Sequence, residues 1–141
     1  NNNSIVSERA LREIYLKGFE ICVRLAQPKA LMTSYNLLNG KHTSEHRELL
    51  EDVLRCEFEF DGIVMTDWVT FSDILSADAK YPAPEAYKVA LAGNDLFMPG
   101  SQQEIDNLTA ALKNGHITRE ELIKNAIRIC RMAVELAGAS V

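Results

Sequence analysis

Three short apolar runs fix what this chain can become. They are Ala30-Leu31-Met32-Thr33-Ser34-Tyr35, Gly62-Ile63-Val64-Met65-Thr66-Asp67 and Asp95-Leu96-Phe97-Met98. They begin roughly thirty residues apart, about the length of one strand-helix-strand unit. None of them alternates polar with apolar, so each reads as a strand buried on both faces, as in a parallel sheet.

Helical patterns lie between and around the runs. Across residues 7–26, Leu11, Ile14, Tyr15, Cys22 and Leu25 recur at three- and four-residue spacing, with Ser7 able to cap and Pro28 ending the stretch. A second helix is predicted from about Ser44, with Leu49, Leu50, Val53 and Leu54 on one side, after a loop at 36–40. A third spans 84–92 and stops at Gly93. Ser101-Gln102-Gln103-Glu104 and Thr118-Arg119-Glu120-Glu121 match the capping box, and Gly115 can end the first of these two helices. The last helix carries Leu122, Ile123, Ala126, Ile127, Cys130, Ala133 and Val134, an apolar face that must pack on something.

Strands interleaved with helices predict an α/β fold. An open doubly wound sheet and a closed barrel both satisfy the pattern. A complete (β/α)8 barrel takes about 250 residues. Read as a barrel, then, the 141-residue chain is a fragment with open strand edges. Such edges are adhesive unless covered, so self-association into dimers or aggregates is expected.

Charge and composition exclude several partners. The net charge is −5 and the fifteen basic residues are scattered, whereas a nucleic-acid footprint needs a concentrated basic face. No apolar run approaches the ~20 residues of a membrane helix. The opening Asn1-Asn2-Asn3 does not resemble a native start, so the lack of a targeting segment carries little weight. Cys22, Cys56 and Cys130 are odd in number and widely spaced, which indicates neither disulfides nor a zinc knuckle. Buried free thiols in reduced, cytoplasmic surroundings are the expectation. His42, His46 and His116 show no ligand spacing and read as surface histidines, so neither metal nor cofactor is expected.

Asp67 stands out on chemical grounds. It ends an apolar strand and directly precedes Trp68. In a barrel, the C-terminal ends of the strands deliver side chains into the functional pocket. A carboxylate beside an indole suits a sugar: the ring face of the indole packs on C–H groups while the carboxylate addresses the anomeric carbon. The alternative is that Asp67 caps the next helix.

The wider context resembles glycoside hydrolase family 3. Ala30-Leu31-Met32-Thr33-Ser34-Tyr35-Asn36 with Asn39-Gly40 is similar to that family's "MxSYNxxNG" segment. Leu49-Leu50, Val53-Leu54-Arg55 and Phe60-Asp61-Gly62 resemble its "LLxxVLRxxxxFDG" stretch. Ile63-Val64-Met65-Thr66-Asp67-Trp68 resembles its nucleophile strand, and Ala92-Gly93-Asn94-Asp95-Leu96-Phe97-Met98-Pro99-Gly100 its "AGxDLxMPG". The likeness runs from about residue 7 to residue 136, its motifs in order, and favours the barrel.

The resemblance implies that residues 1–141 are a single fragment of a family 3 catalytic barrel domain, a partial (β/α)8 barrel of about three parallel strands, the last of the barrel, with flanking helices. It implies a retaining β-glycosidase, β-glucosidase-like, releasing terminal non-reducing β-D-glucosyl residues from a β-glucoside or oligosaccharide through a covalent glycosyl-enzyme on Asp67. Trp68 would flank the bound sugar, Met32 and Tyr35 would form the subsite wall, and Asn94 and Asp95 would tie barrel turns. The acid/base would come from an α/β-sandwich domain and further glycone contacts from the rest of the barrel, so the isolated chain is expected to be inactive. Val69-Thr70-Phe71 departs from the glycine many members carry after the Trp, which leaves the loop shape open. β-Xylosidase specificity, a non-catalytic carbohydrate-binding or scaffold barrel, and a phosphate-binding barrel enzyme are the competing readings.

Overall fold

The computed structural model describes residues 2–68, 70 and 80–138. In chain order these form β1 (Asn3–Ser4), α1 (Glu8–Ala10), a wide-turned segment (Leu11–Tyr15) and α2 (Lys17–Ala26). Then follow β2 (Ala30–Met32), β3 (Leu37–Leu38), β4 (Lys41–His42), a 3-10 turn (Thr43–Glu45) and α3 (Glu48–Glu57). The chain continues through β5 (Ile63–Met65), α4 (Ala86–Leu91), α5 (Gln102–Lys113) and α6 (Arg119–Leu136).

The three apolar runs lie side by side and parallel, as expected. β2 is not buried on both faces, however: Ala30 and Met32 are exposed and Leu31 is half-buried, because no described element covers that part of the strand. β2 pairs in parallel with β5, placing Ala30 opposite Ile63 and Met32 opposite Met65. Met65 in turn bridges Leu96, again in parallel. The Asp95 and Thr66 amides extend that seam to the Val64 and Leu96 carbonyls, at 2.7 and 2.9 Å. Among the described residues, no strand covers the other edge of β2. Gly62 sets how closely β5 approaches β2: a Cβ there would lie 2.4 Å from the Lys29 carbonyl oxygen, the acceptor for Ile63 N–H.

A second, small sheet was not expected. β1 pairs in parallel with β3, and β3 and β4 form an antiparallel hairpin where a plain loop was predicted at 36–40. The hairpin turns on Asn39 and Gly40, with φ of 50° and 86°. Positive φ at both central residues is the geometry that favours Asn-Gly in a two-residue turn.

The helices cover the sheet with their apolar faces. Leu50, Val53 and Leu54 of α3 pack with Val23, Phe58, Phe60, Val64 and Ala92 in one core. A second core gathers Ala90, Ala111 and Ile117 with Tyr87, Phe97, Leu108 and Leu122 around it. Each fully buried aliphatic side chain contributes about 1.5–3 kcal/mol. α3 is wound with i→i+5 hydrogen bonds, ending on Phe58 N–H to Val53 C=O at 2.9 Å. The first helical stretch is also less regular than expected: it opens at residues 11–15 into the same wide winding, and Leu16 N–H donates to Leu11 C=O.

The end signals divide. Ser7 accepts from Ala10 N–H, Gln27 takes the left-handed conformation before Pro28, and Thr118 with Glu121 completes a reciprocal capping box. Ser101 starts α5, but its side chain makes no capping hydrogen bond. The apolar face of α6, expected to need a packing partner, is left largely open, and polar residues turn inward beside it. Asn125 is buried and Leu122, Arg128, Ile129 and Met132 are half-buried, whereas Ile123 and Ile127 are 42% and 49% exposed. The helix is rotated because Asn125 and Arg128 have polar partners inside. Asn125 Nδ2 donates to Ala90 C=O at 3.0 Å. The three cysteines, expected to be buried, are all exposed and free on outer helix faces. His42, expected at the surface, is buried, with Nε2 2.8 Å from the Pro82 carbonyl oxygen.

Candidate active site at the strand ends

Asp67 follows β5 by two residues. Its neighbour Thr66 is fully buried, with N–H bonded to Leu96 C=O and Oγ1 accepting from Met98 N–H at 2.9 Å. Alternation along the extended backbone sends the next side chain to the opposite face. Asp67 is accordingly half-buried at the strand end. Its Oδ1 accepts the Trp68 N–H at 2.7 Å, and its own carbonyl accepts the Thr70 hydroxyl at 2.7 Å. A helix for Asp67 to cap, like the loop shape after Trp68, would involve residues 69 and 71–79, outside the described residues.

Tyr35 arrives from the neighbouring strand. Its hydroxyl donates to the Trp68 carbonyl at 2.8 Å, tying the end of β2 to the end of β5. Partial desolvation raises its pKa above the ordinary phenol range, and a hydrogen bond to the Asp67 carboxylate raises it further. The phenol therefore stays protonated and able to donate through neutral pH. Trp68 and Met32 present large apolar surfaces, 51% and 50% exposed. The structure thus brings Tyr35, Asp67 and Trp68 together, with Met32 on the last residue of β2 nearby in sequence register.

A cavity of about 490 Å³ lies in a different place. It lies between the N-terminal segment, β2 and α3 and is lined by Ile5, Leu11, Phe19, Leu50 and Phe58. It shares Met32 with the strand-end group but contains no charged side chain. The strand-end group, unlike this cavity, carries a carboxylate.

Below the site, a buried polar network locks the strands. Asp95 Oδ2 accepts from Val64 N–H at 2.8 Å and from Arg55 Nη2 at 2.6 Å. Asp95 Oδ1 accepts from Arg128 Nη1 at 3.2 Å. Arg128 also meets Glu51 at 3.0 Å, and Arg55 donates to the Gly62 and Gly93 carbonyls. Burial pushes the Asp95 carboxyl up, opposed by the Val64 N–H and the two guanidinium groups. Asn94 donates to Ser44 and Val89 carbonyls and accepts from the Thr33 hydroxyl. Both residues are structural ties, Asn94 joining the turn at Ser44 to the end of α4, while Asp95, expected to tie a turn, joins β5 to two helices. Arg55, Arg128 and Glu51 were not foreseen as their partners. The available signal was an arginine on each of two otherwise apolar helix faces.

Fold and site together define an α/β chain whose chemistry-bearing side chains gather where parallel strands end. Residues 2–132 match the family described as the Glycosyl hydrolase family 3 N terminal domain, and the chain belongs to that family. Beta-glucosidase B of Emericella nidulans is 38% identical over 136 residues, covering 95% of this chain and 15% of the relative. A beta-glucosidase of Rhizobium radiobacter is 41% identical over 97% of this chain and 15% of its own length. Beta-glucosidase 3B of Thermotoga neapolitana, solved in complex with glucose, superposes with a TM-score of 0.81 at 40% identity, over 94% of this chain and 18% of that one. The chain therefore spans less than a fifth of these relatives.

Proposed function

We propose that this chain is the nucleophile-bearing part of a (β/α)8 barrel in a retaining β-glycosidase that removes terminal β-D-glucosyl residues. The observation that carries the reading is the meeting of Asp67, Tyr35 and Trp68 at adjacent strand ends, in a chain whose relatives are named beta-glucosidases.

In the first step, an Asp67 carboxylate oxygen attacks the anomeric carbon. The glycosidic C–O bond breaks, its electron pair leaves with the aglycone oxygen, and a second carboxyl group protonates that oxygen. In the second step, water attacks the same carbon, gives its proton to the second group and frees Asp67. Retention requires the two carboxyl groups to lie ~5–5.5 Å apart. The second belongs to the part of the enzyme beyond this chain, in an α/β-sandwich domain. Trp68 N–H holds one oxygen of the nucleophile, Tyr35 braces the Trp68 backbone, and the indole and Met32 offer apolar surface to the sugar ring.

The test is chemical trapping. A 2-deoxy-2-fluoro glucoside slows breakdown of the covalent intermediate, and digestion followed by mass spectrometry of the full-length enzyme is expected to find the sugar on the Thr66-Asp67-Trp68 peptide. A label on any other carboxylate overturns the assignment, and no label at all favours a non-catalytic binding role.

Trp68 is expected to act in binding more than in bond-making. Aromatic contacts of this kind carry ~0.5–1.5 kcal/mol beyond area burial. Replacing Trp68 with alanine is therefore expected to weaken a glucose-like inhibitor roughly tenfold while the glucosyl-enzyme still forms. An unchanged inhibition constant would assign the indole to packing instead.

A further inference from the structure

The network beneath the site contains two carboxylates, Glu51 and Asp95, and two guanidinium groups, Arg55 and Arg128, so its formal charge is zero. Its best-buried member, Asp95, is not spent on charge pairing alone. Its Oδ2 takes the backbone N–H of Val64, in the middle of β5, while its backbone N–H bonds the Val64 carbonyl. Both polar groups of one strand residue thus end on one aspartate. Three residues further along the chain, two past the end of β5, stands Asp67.

We propose that the Arg55–Asp95–Arg128 clamp is a positioning device for the Asp67 carboxylate, with Arg128 the residue through which helix α6 takes part. This rests on the reading of Asp67 as nucleophile. A lone carboxylate could rotate about its Cβ–Cγ bond and release the Val64 N–H. Here Arg55 holds the oxygen that takes that N–H, and Arg128 holds the other oxygen, so the carboxylate plane is fixed. Arg128 is fixed in turn by Glu51 on α3 and by Asn125 on its own helix. Thr66, bonded through N–H and Oγ1 to Leu96 and Met98, fixes the other end of the same short segment. Val64 to Thr66 is therefore held at both ends, and the direction in which Asp67 leaves the strand follows from it. Arg128 touches no described group of the strand-end site, so it acts through Asp95 and β5.

Displacing a reacting group by about 1 Å costs on the order of a hundredfold in rate. In the full-length enzyme, Arg128→Gln is expected to slow formation of the 2-fluoroglucosyl-enzyme by ~10- to 100-fold per active site. Sites are counted by the final extent of labelling. Arg128→Lys keeps the charge but loses the planar fork that reaches both Asp95 and Glu51, and an intermediate loss is expected. The decisive comparison is in an Asp67→Gly background, where added azide replaces the aimed carboxylate. There Arg128→Gln is expected to leave the azide-dependent rate unchanged within twofold. A merely structural arginine would lower the number of labelled sites without changing the rate per site, or would slow the azide reaction equally, and either result overturns the proposal. If Arg128→Gln does not fold, Arg128→Lys carries both comparisons. Failure of azide to act on the Asp67→Gly enzyme itself would be seen before Arg128 is altered. It would remove the nucleophile reading, and this proposal with it.

Discussion

A full-length enzyme carrying Asp67→Gly is expected to lose hydrolysis of an aryl β-glucoside by a factor on the order of 10⁴ or more, the scale on which removing a nucleophile acts in other enzymes. The fold is expected to survive. Asp67 is only half-buried, and the hydrogen bonds its carboxylate makes, to the adjacent Trp68 amide and to Tyr35, are of a kind whose loss costs about 0.5–2 kcal/mol each. Glycine also opens space at the anomeric carbon. Azide is then expected to enter from the face Asp67 used and to convert an activated β-glucoside into an α-glycosyl azide. The configuration of that product is the measurement. A β-azide, or no azide product, would mean that Asp67 does not occupy the nucleophile's position.

The second large effect concerns stability. Asp95→Ala removes the acceptor shared by Arg55, Arg128 and the Val64 N–H, leaving two part-buried guanidinium groups with Glu51 as their one remaining carboxylate in the network. Breaking a buried ion pair by deleting one partner costs about 3–5 kcal/mol. A marked fall in the urea midpoint of the full-length protein is expected, with soluble yield falling alongside. Asp95→Asn keeps an oxygen for the Val64 N–H and is expected to lose less. Equal midpoints for Asp95→Ala and the parent would show that water satisfies the arginines and that the clamp stores no stability.

Much of this was legible in the sequence because it is written in local chemistry. The three parallel segments announce themselves as apolar runs without alternation, and the meeting of Tyr35, Asp67 and Trp68 follows from the segments that carry them. What escaped depends on distance or on winding. Leu50, Val53 and Leu54 cluster on one side whether a ten-residue helix closes at i+4 or at i+5, so the wide winding of α3 leaves little trace. The Asn39-Gly40 hairpin was within reach, but Leu37-Leu38 and Lys41-His42 are too short to show a period of two. α6 was read from its apolar residues alone, which left the buried Asn125 and the half-buried Arg128 unnoticed. The buried partners of Asn125 and Arg128 lie 33 to 77 residues away, and nothing local names them. The cysteines were misassigned by the same habit, which equates an apolar neighbourhood in a helix with burial.

The shortness of the strands gives the side-chain bonds on β5 a further meaning. A strand of three residues has too few ladder bonds to make one alignment much better than the next. Sliding β5 by a single position would exchange its faces, turning Asp67 into the packed interior and Thr66 out to the open end. The Asp95 carboxylate recognises one particular amide, Val64, and the Thr66 hydroxyl one particular amide, Met98. Both locks open together if the strand slips by one. Together they favour the alignment that sends the Asp67 carboxylate to the open end over the near miss in which it would face the interior.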